Sequence, residues 1–127
     1  MPSSNSEQPK GSARQVRGKQ FEDRAALFFE DHGYTVLDRN WRAGHKEIDL
    51  IVRKADTVVF VEVKASLSDR FGHPVERVDK TKIRHLTNAA QQYVLEKKIS
   101  GCDLRFDVVT FSGGQLEHYP NAFGAEI

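Results

Sequence analysis

Cysteine is nearly absent. Cys102 is the only one in 127 residues, so no disulfide can form within the chain, and a reducing cytoplasm suits it. Long apolar runs are missing as well. No stretch reaches the roughly 18 residues of a membrane helix. Met1 to Ala13 is rich in Ser, Pro, Gln and Gly, with no apolar segment of the kind a secretory signal carries. Charge of one sign is not in excess: 19 basic and 18 acidic residues leave a formal charge of +1. Any nucleic-acid surface must therefore come from local segregation of charge. His32, His45, His73, His85 and His118 contain no pair at metal-ligand spacing, which argues against zinc. There is no Gly-rich phosphate loop and no Ser or Cys nucleophile motif, so nucleotide-triphosphate chemistry and covalent hydrolysis lack support. The expectation is a cytoplasmic protein with no membrane association.

An apolar content of 39% suffices for one modest core. Residues 1–13 read as a disordered tail and 14–127 as a single domain. From Gln15 to His32, Phe21, Ala25, Phe28 and Phe29 recur at helical spacing, and Gly33 stands where a glycine would end the helix. Tyr34 to Trp41 reads as a strand and Arg42 to Lys46 as a loop. Glu47 to Arg53 and Thr57 to Lys64 alternate strongly and are joined by the short Lys54-Ala55-Asp56 connection, which predicts a β-hairpin. A loop with Gly72 and Pro74 leads to an amphipathic helix over Asp79 to Lys97. Strands over Leu104 to Phe111 and Gln115 to Tyr119, divided by Gly113-Gly114, complete the order αβββαββ. That order implies a mixed sheet backed by helices, in the α/β or α+β class.

The hairpin carries the chemistry. Alternation places Ile48, Leu50 and Val52 on one face and Glu47, Asp49, Ile51 and Arg53 on the other. In the second strand, Val59, Val61 and Val63 oppose Val58, Phe60, Glu62 and Lys64. If Arg53 pairs with Val58, antiparallel counting sets Asp49 opposite Glu62, with Cβ atoms about 4.5–5.5 Å apart. Carboxylates so placed repel unless a divalent cation lies between them, and Mg²⁺ or Mn²⁺ prefers such hard oxygen ligands. Two carboxylates on rigid strands with open coordination positions suit phosphodiester hydrolysis. Lys64 shares the face of Glu62, where an ammonium would orient or deprotonate water or neutralise a developing phosphorane charge. Glu22 faces the core side of the first helix and needs a partner, either a metal or Lys64. The plainer alternative reads these charges as a solvated sheet face.

Basic residues cluster at Arg14, Arg17, Lys19 and Arg24, at Arg39, Arg42, His45 and Lys46, and at Arg77, Lys80, Lys82, Arg84 and His85. Arg42, Lys46, Lys80 and Lys82 are the candidate contacts to a nucleic-acid backbone. Trp41 and Phe71 suit packing better than base stacking.

The runs Gly18-Lys19-Gln20-Phe21-Glu22, Gly33-Tyr34, Arg39-Asn40-Trp41-Arg42, Glu47-Ile48-Asp49-Leu50-Ile51, Phe60-Val61-Glu62-Val63-Lys64 and Phe71-Gly72 resemble the YraN-like family of small bacterial proteins. Arg105-Phe106-Asp107-Val108-Val109 and Asn121-Ala122-Phe123 extend the likeness, which runs in order from about residue 15 to 123. The chain departs from the family pattern at Lys46, where glycine usually precedes the Glu-Ile-Asp run, and at Ser66, where arginine is frequent. The resemblance implies a PD-(D/E)xK, restriction-endonuclease-like fold similar to Holliday junction resolvases. It further implies metal ligation by Asp49, Glu62 and the Val63 carbonyl, a catalytic role for Lys64 and support from Glu22. The expected activity is Mg²⁺- or Mn²⁺-dependent cleavage of DNA, branched or damaged DNA included. The alternatives are a nucleic-acid-binding module with little or no cleavage, and an adaptor in which the charges form a salt-bridge network. A homodimer and a further protein partner stay open.

Overall fold

The computed structural model describes residues 13–66 and 80–124. Residues 1–12 of the expected tail over 1–13, the loop with Gly72 and Pro74, and Arg70, Phe71, His73, Arg77 and Asp79 lie outside the described residues, while Ala13 belongs to the first helix and not to a tail. The elements are α1 (Ala13–Asp31), β1 (Thr35–Ala43), β2 (Lys46–Lys54), β3 (Thr57–Ser66), α2 (Lys80–Glu96), β4 (Asp103–Ser112) and β5 (Gln115–Tyr119). Their order is αβββαββ, as the sequence predicts, and the five strands form one mixed sheet with spatial order β1-β2-β3-β4-β5. Pairing is antiparallel except between β3 and β4, which run parallel and therefore need a crossover. Helix α2 lies within that crossover.

One helix covers each face. Ala25, Ala26 and Phe29 of α1 pack on Leu50, Val52, Val59, Val61, Val109 and Phe111. Leu86, Ala89, Ala90 and Tyr93 of α2 pack on Ile48, Ile51, Val58, Phe60 and Phe106. Strand β3 is covered on both sides: Val58, Val59 and Val61 are wholly buried. Each large apolar side chain so enclosed stabilises the fold by about 1.5–3 kcal/mol. Trp41 is a packing residue, its ring edge-on to Tyr93 with centroids 5.1 Å apart.

Gly33 ends α1 as expected. It has φ +88°, and the Tyr34 N–H donates back to the Phe29 carbonyl at 3.0 Å. The expected loop over Arg42 to Lys46 is shorter than the sequence suggested. Ala43 pairs with Lys46, leaving Gly44-His45 as a two-residue turn with Gly44 at φ +67°. Polar residues there read as loop, but a left-handed glycine lets both strands continue to the turn.

A second polar cluster lies under α1. Asp107, wholly buried, accepts two hydrogen bonds from Arg105, at 2.8 Å each. His118 Nε2 lies 2.7 Å from its Oδ2, and the Asn121 N–H donates to Oδ1 at 2.9 Å. Arg105 also donates to the Tyr34 hydroxyl at 3.0 Å. The network ties β4, β5, the turn after α1 and the segment after β5 around one carboxylate.

Candidate active site

The β2–β3 turn sets the register on which the site depends. Lys54 pairs with Thr57 and Arg53 with Val58, and the ladder runs to Leu50 opposite Val61. That is the register the sequence predicts. The next rung, Asp49 and Glu62, lies beyond the last ladder pair. Instead of a backbone partner at this point, the Val63 N–H donates to Asp49 Oδ2 at 2.8 Å.

A change of pleat explains why. Strict alternation would put Ile48 beside Leu50, but Ile48 packs in the α2 cluster while Leu50 packs under α1. The partner strand changes phase at the same rung. Asp38 accepts from the Tyr93 hydroxyl of α2 at 2.7 Å, and Arg39 pairs with Asp23 of α1. Trp41, which alternation would return to the α1 side, packs on the α2 side instead. Between them Asn40 adopts φ +52°, a left-handed conformation that resets the pleat. Register is kept across the change, since Arg39 faces Leu50 and Trp41 faces Ile48. The predicted faces for Glu47 and Ile48 are therefore exchanged, and Asp49 sits at the seam between the two phases.

Three predicted residues meet there. Glu62 is buried, and its Oε2 lies 3.8 Å from Lys64 Nζ. Burial, then the charge of Glu62, pushes the Asp49 carboxyl up to about 8, against the Val63 N–H that favours the ionised form. Glu22 stands nearby on α1. Burial raises its carboxyl, a hydrogen bond from the Asn40 side chain opposes this, and Glu47 raises it further. The Asn40 side chain is thus a hydrogen-bond partner of Glu22. Among the described residues, no three His, Cys, Asp or Glu side chains converge as a metal cluster. The donor set is two carboxylates, with the Val63 carbonyl on the adjoining backbone. Two adjoining carboxyl groups, one of them pushed up by burial first and by the other's charge second, suit a divalent cation, which would relieve that repulsion through hard oxygen ligands.

The four basic candidates separate. Lys82 Nζ reaches Glu62 Oε2 at 3.2 Å, so it belongs to the carboxylate site. Arg42, 67% exposed, pairs with Glu47 at 3.8 Å. It lines, with Lys46, an open groove of about 420 Å³ against Asn88, Gln92 and Glu96 of α2. Lys80 is exposed at the start of α2. The sequence offered Lys82 only as a phosphate contact; its approach to Glu62 depends on how α2 packs on the sheet.

The Asp49 shift gives a stability prediction. Its folded pKa is raised, so its protonated form is favoured in the fold and stability falls as pH rises from about 4 toward 8. Asp49→Asn cannot ionise yet keeps an oxygen for the Val63 N–H. In EDTA at pH 8 it is expected to melt several degrees above wild type, about 1 kcal/mol or more, with the gap closing toward pH 4. Thermal melts across that range check this, and a wild type of equal or greater stability at pH 8 would refute it.

No described helix is long and apolar enough to cross a membrane. The sequence profile of "Uncharacterised protein family UPF0102" matches residues 21–111. A UPF0102 protein of Sulfurihydrogenibium sp. (strain YO3AOP1) is 42% identical over 110 residues, covering 87% of this chain and 96% of that one. One from Chloroherpeton thalassium is 46% identical over 92 residues, covering 72% and 71%. Among solved structures, "Crystal structure of SSO0001" is similar at 15% identity with a TM-score of 0.45, covering 87% of this chain and 52% of that one.

Proposed function

From the premise that the chain belongs to UPF0102, the YraN-like family, we propose that it is a Mg²⁺- or Mn²⁺-dependent endonuclease hydrolysing DNA phosphodiester bonds, with branched or damaged DNA as candidate substrates. The observation that carries this reading is the meeting of Asp49 and Glu62 where the β2–β3 ladder ends, with Lys64 beside Glu62.

Asp49, Glu62 and the Val63 carbonyl would hold the cation, which when bound supplies Lewis-acid activation of water and phosphate. Each of the chain's residues has a part the geometry supports. The Val63 N–H fixes the orientation of Asp49. A cation held there would favour the ionised form of Asp49, whose carboxyl the fold pushes up, so its affinity would rise with pH. Glu62 is buried and positioned by the pairing of β3 with β4 at its own rung. Lys64, with its side chain 27% exposed, can reach a solvent-side phosphate and orient the attacking water or neutralise developing charge. Glu22 and Asn40 support the α1 side of the site as positioning residues. Arg42 and Lys80, which are exposed, and Lys46, which is half-buried, would meet the phosphate backbone in contacts that weaken with salt.

Metal-linked melting tests the reading. Cation at a hundred times its Kd should stabilise the wild type by about 2.7 kcal/mol, and Asp49→Asn should show no such response. A wild type indifferent to millimolar Mg²⁺ and Mn²⁺ would count against a metal site and favour the DNA-binding module. That module should still bind DNA in EDTA.

A further inference from the structure

The motif that identifies the site contains one lysine, Lys64, but the structure brings two to the same oxygen. Lys82 Nζ lies 3.2 Å from Glu62 Oε2, closer than Lys64 Nζ at 3.8 Å. Lys82 is the third residue of α2, whose first turn contains no acidic residue. The helix dipole disfavours a cation there, so local helix energetics do not account for it. The ion pair with Glu62 opposes that cost.

The two ends of this pair differ in freedom. The Glu62 side chain is 7% exposed and sits on β3, which is paired with β4 at this rung. The Lys82 side chain is 42% exposed, on a long flexible stem. Lys64 is on the strand itself and is less exposed, at 27%. Of the two ammonium groups, that of Lys82 is the more exposed to water. A divalent cation added beside both ammonium groups would be repelled by each.

We propose that Lys82 is a positioning residue that holds the place of the divalent cation on Glu62, keeping the buried carboxylate neutralised in the metal-free protein and withdrawing when the cation binds. The proposal rests on the reading of Asp49 and Glu62 as metal ligands. Lys82 then sets the metal affinity of the site by competition, and its released ammonium lies on the solvent side, where substrate phosphate would approach. This joins the two positions the sequence left apart, a metal ligand on β3 and a basic residue on α2.

The test is a titration of the full-length protein with Mn²⁺, without DNA, following free Mn²⁺ by electron paramagnetic resonance. Wild type is compared with Lys82→Met, Lys82→Gln, Lys82→Arg and Asp49→Asn. Loss of the competing charge should tighten Mn²⁺ binding about tenfold in Lys82→Met and Lys82→Gln, equivalent to about 1.4 kcal/mol. Lys82→Arg keeps the charge and should stay near wild type, and Asp49→Asn should bind no Mn²⁺. Unchanged or weaker binding in both neutral variants, with binding still dependent on Asp49, would overturn the role of Lys82 and leave the metal site standing. Tightening in Lys82→Arg equal to that in Lys82→Met would overturn the charge competition. Wild type without Asp49-dependent binding at millimolar Mn²⁺ would overturn both readings.

Discussion

Glu62→Gln is expected to lower DNA cleavage at least about 10³-fold while the protein stays folded, because it removes the charge of a ligand and keeps its shape. Glu62 is buried between the two lysines, so the neutral amide cannot replace its charge at a metal. The fold should tolerate the change, since ion pairs to half-exposed lysines contribute little to stability. The assay is cleavage of linear, nicked and branched DNA in Mg²⁺ or Mn²⁺, with circular dichroism as the check on folding. Cleavage at the wild-type rate in the variant would sink the nuclease reading of this site.

The largest expected loss of stability lies elsewhere, at Asp107. Burial alone would raise its carboxyl, but the hydrogen bonds from His118 and Arg105 and the Asn121 N–H outweigh this and hold it below the ordinary carboxylate range. Removing one partner of such a buried charge network costs about 3–5 kcal/mol. Asp107→Ala should therefore lower the melting temperature by roughly 10 °C or more at pH 7. The sign with pH follows from the lowered folded pKa. The stabilisation is present above the unfolded value near 4 and is lost as pH falls through the folded one, so the gap between variant and wild type should narrow in acid. A gap that is the same at pH 7 and pH 3 would show that Asp107 contributes packing and not charge.

Much of this molecule was legible in the sequence because its signals are local. The Lys54-Ala55-Asp56 connection fixed the hairpin register, and the register brought Asp49 to Glu62 thirteen positions apart. Gly33 and the apolar spacing of α1 marked a helix end that the structure shares. What was illegible depends on tertiary context. The pleat change at Asn40 and Asp49 breaks alternation in two strands at once, and nothing in either strand alone announces it. Tyr34, Arg105, Asp107 and His118 are scattered over the chain and meet only once β4 lies beside β3. A carboxylate inside the apolar run Phe106 to Val109 did require a partner, and Arg105, two residues earlier on the same strand face, was the clue. Lys82 reaches Glu62 because the parallel β3–β4 pair routes the chain through α2, a placement that residue types in the helix do not encode.

Asn40 has a consequence for how this sequence can drift. Its left-handed backbone is comfortable for glycine, asparagine and aspartate and strained for nearly every other residue, most of all the β-branched ones that strands otherwise favour. Its side chain is also engaged by Glu22. Glycine would retain the conformation and lose the hydrogen bond, and aspartate would add a third negative charge beside two raised carboxyls. Position 40 thus admits a narrower alphabet than most of the apolar core around it. Selection acting on the chemistry of Asp49 would register there as a constraint on backbone shape.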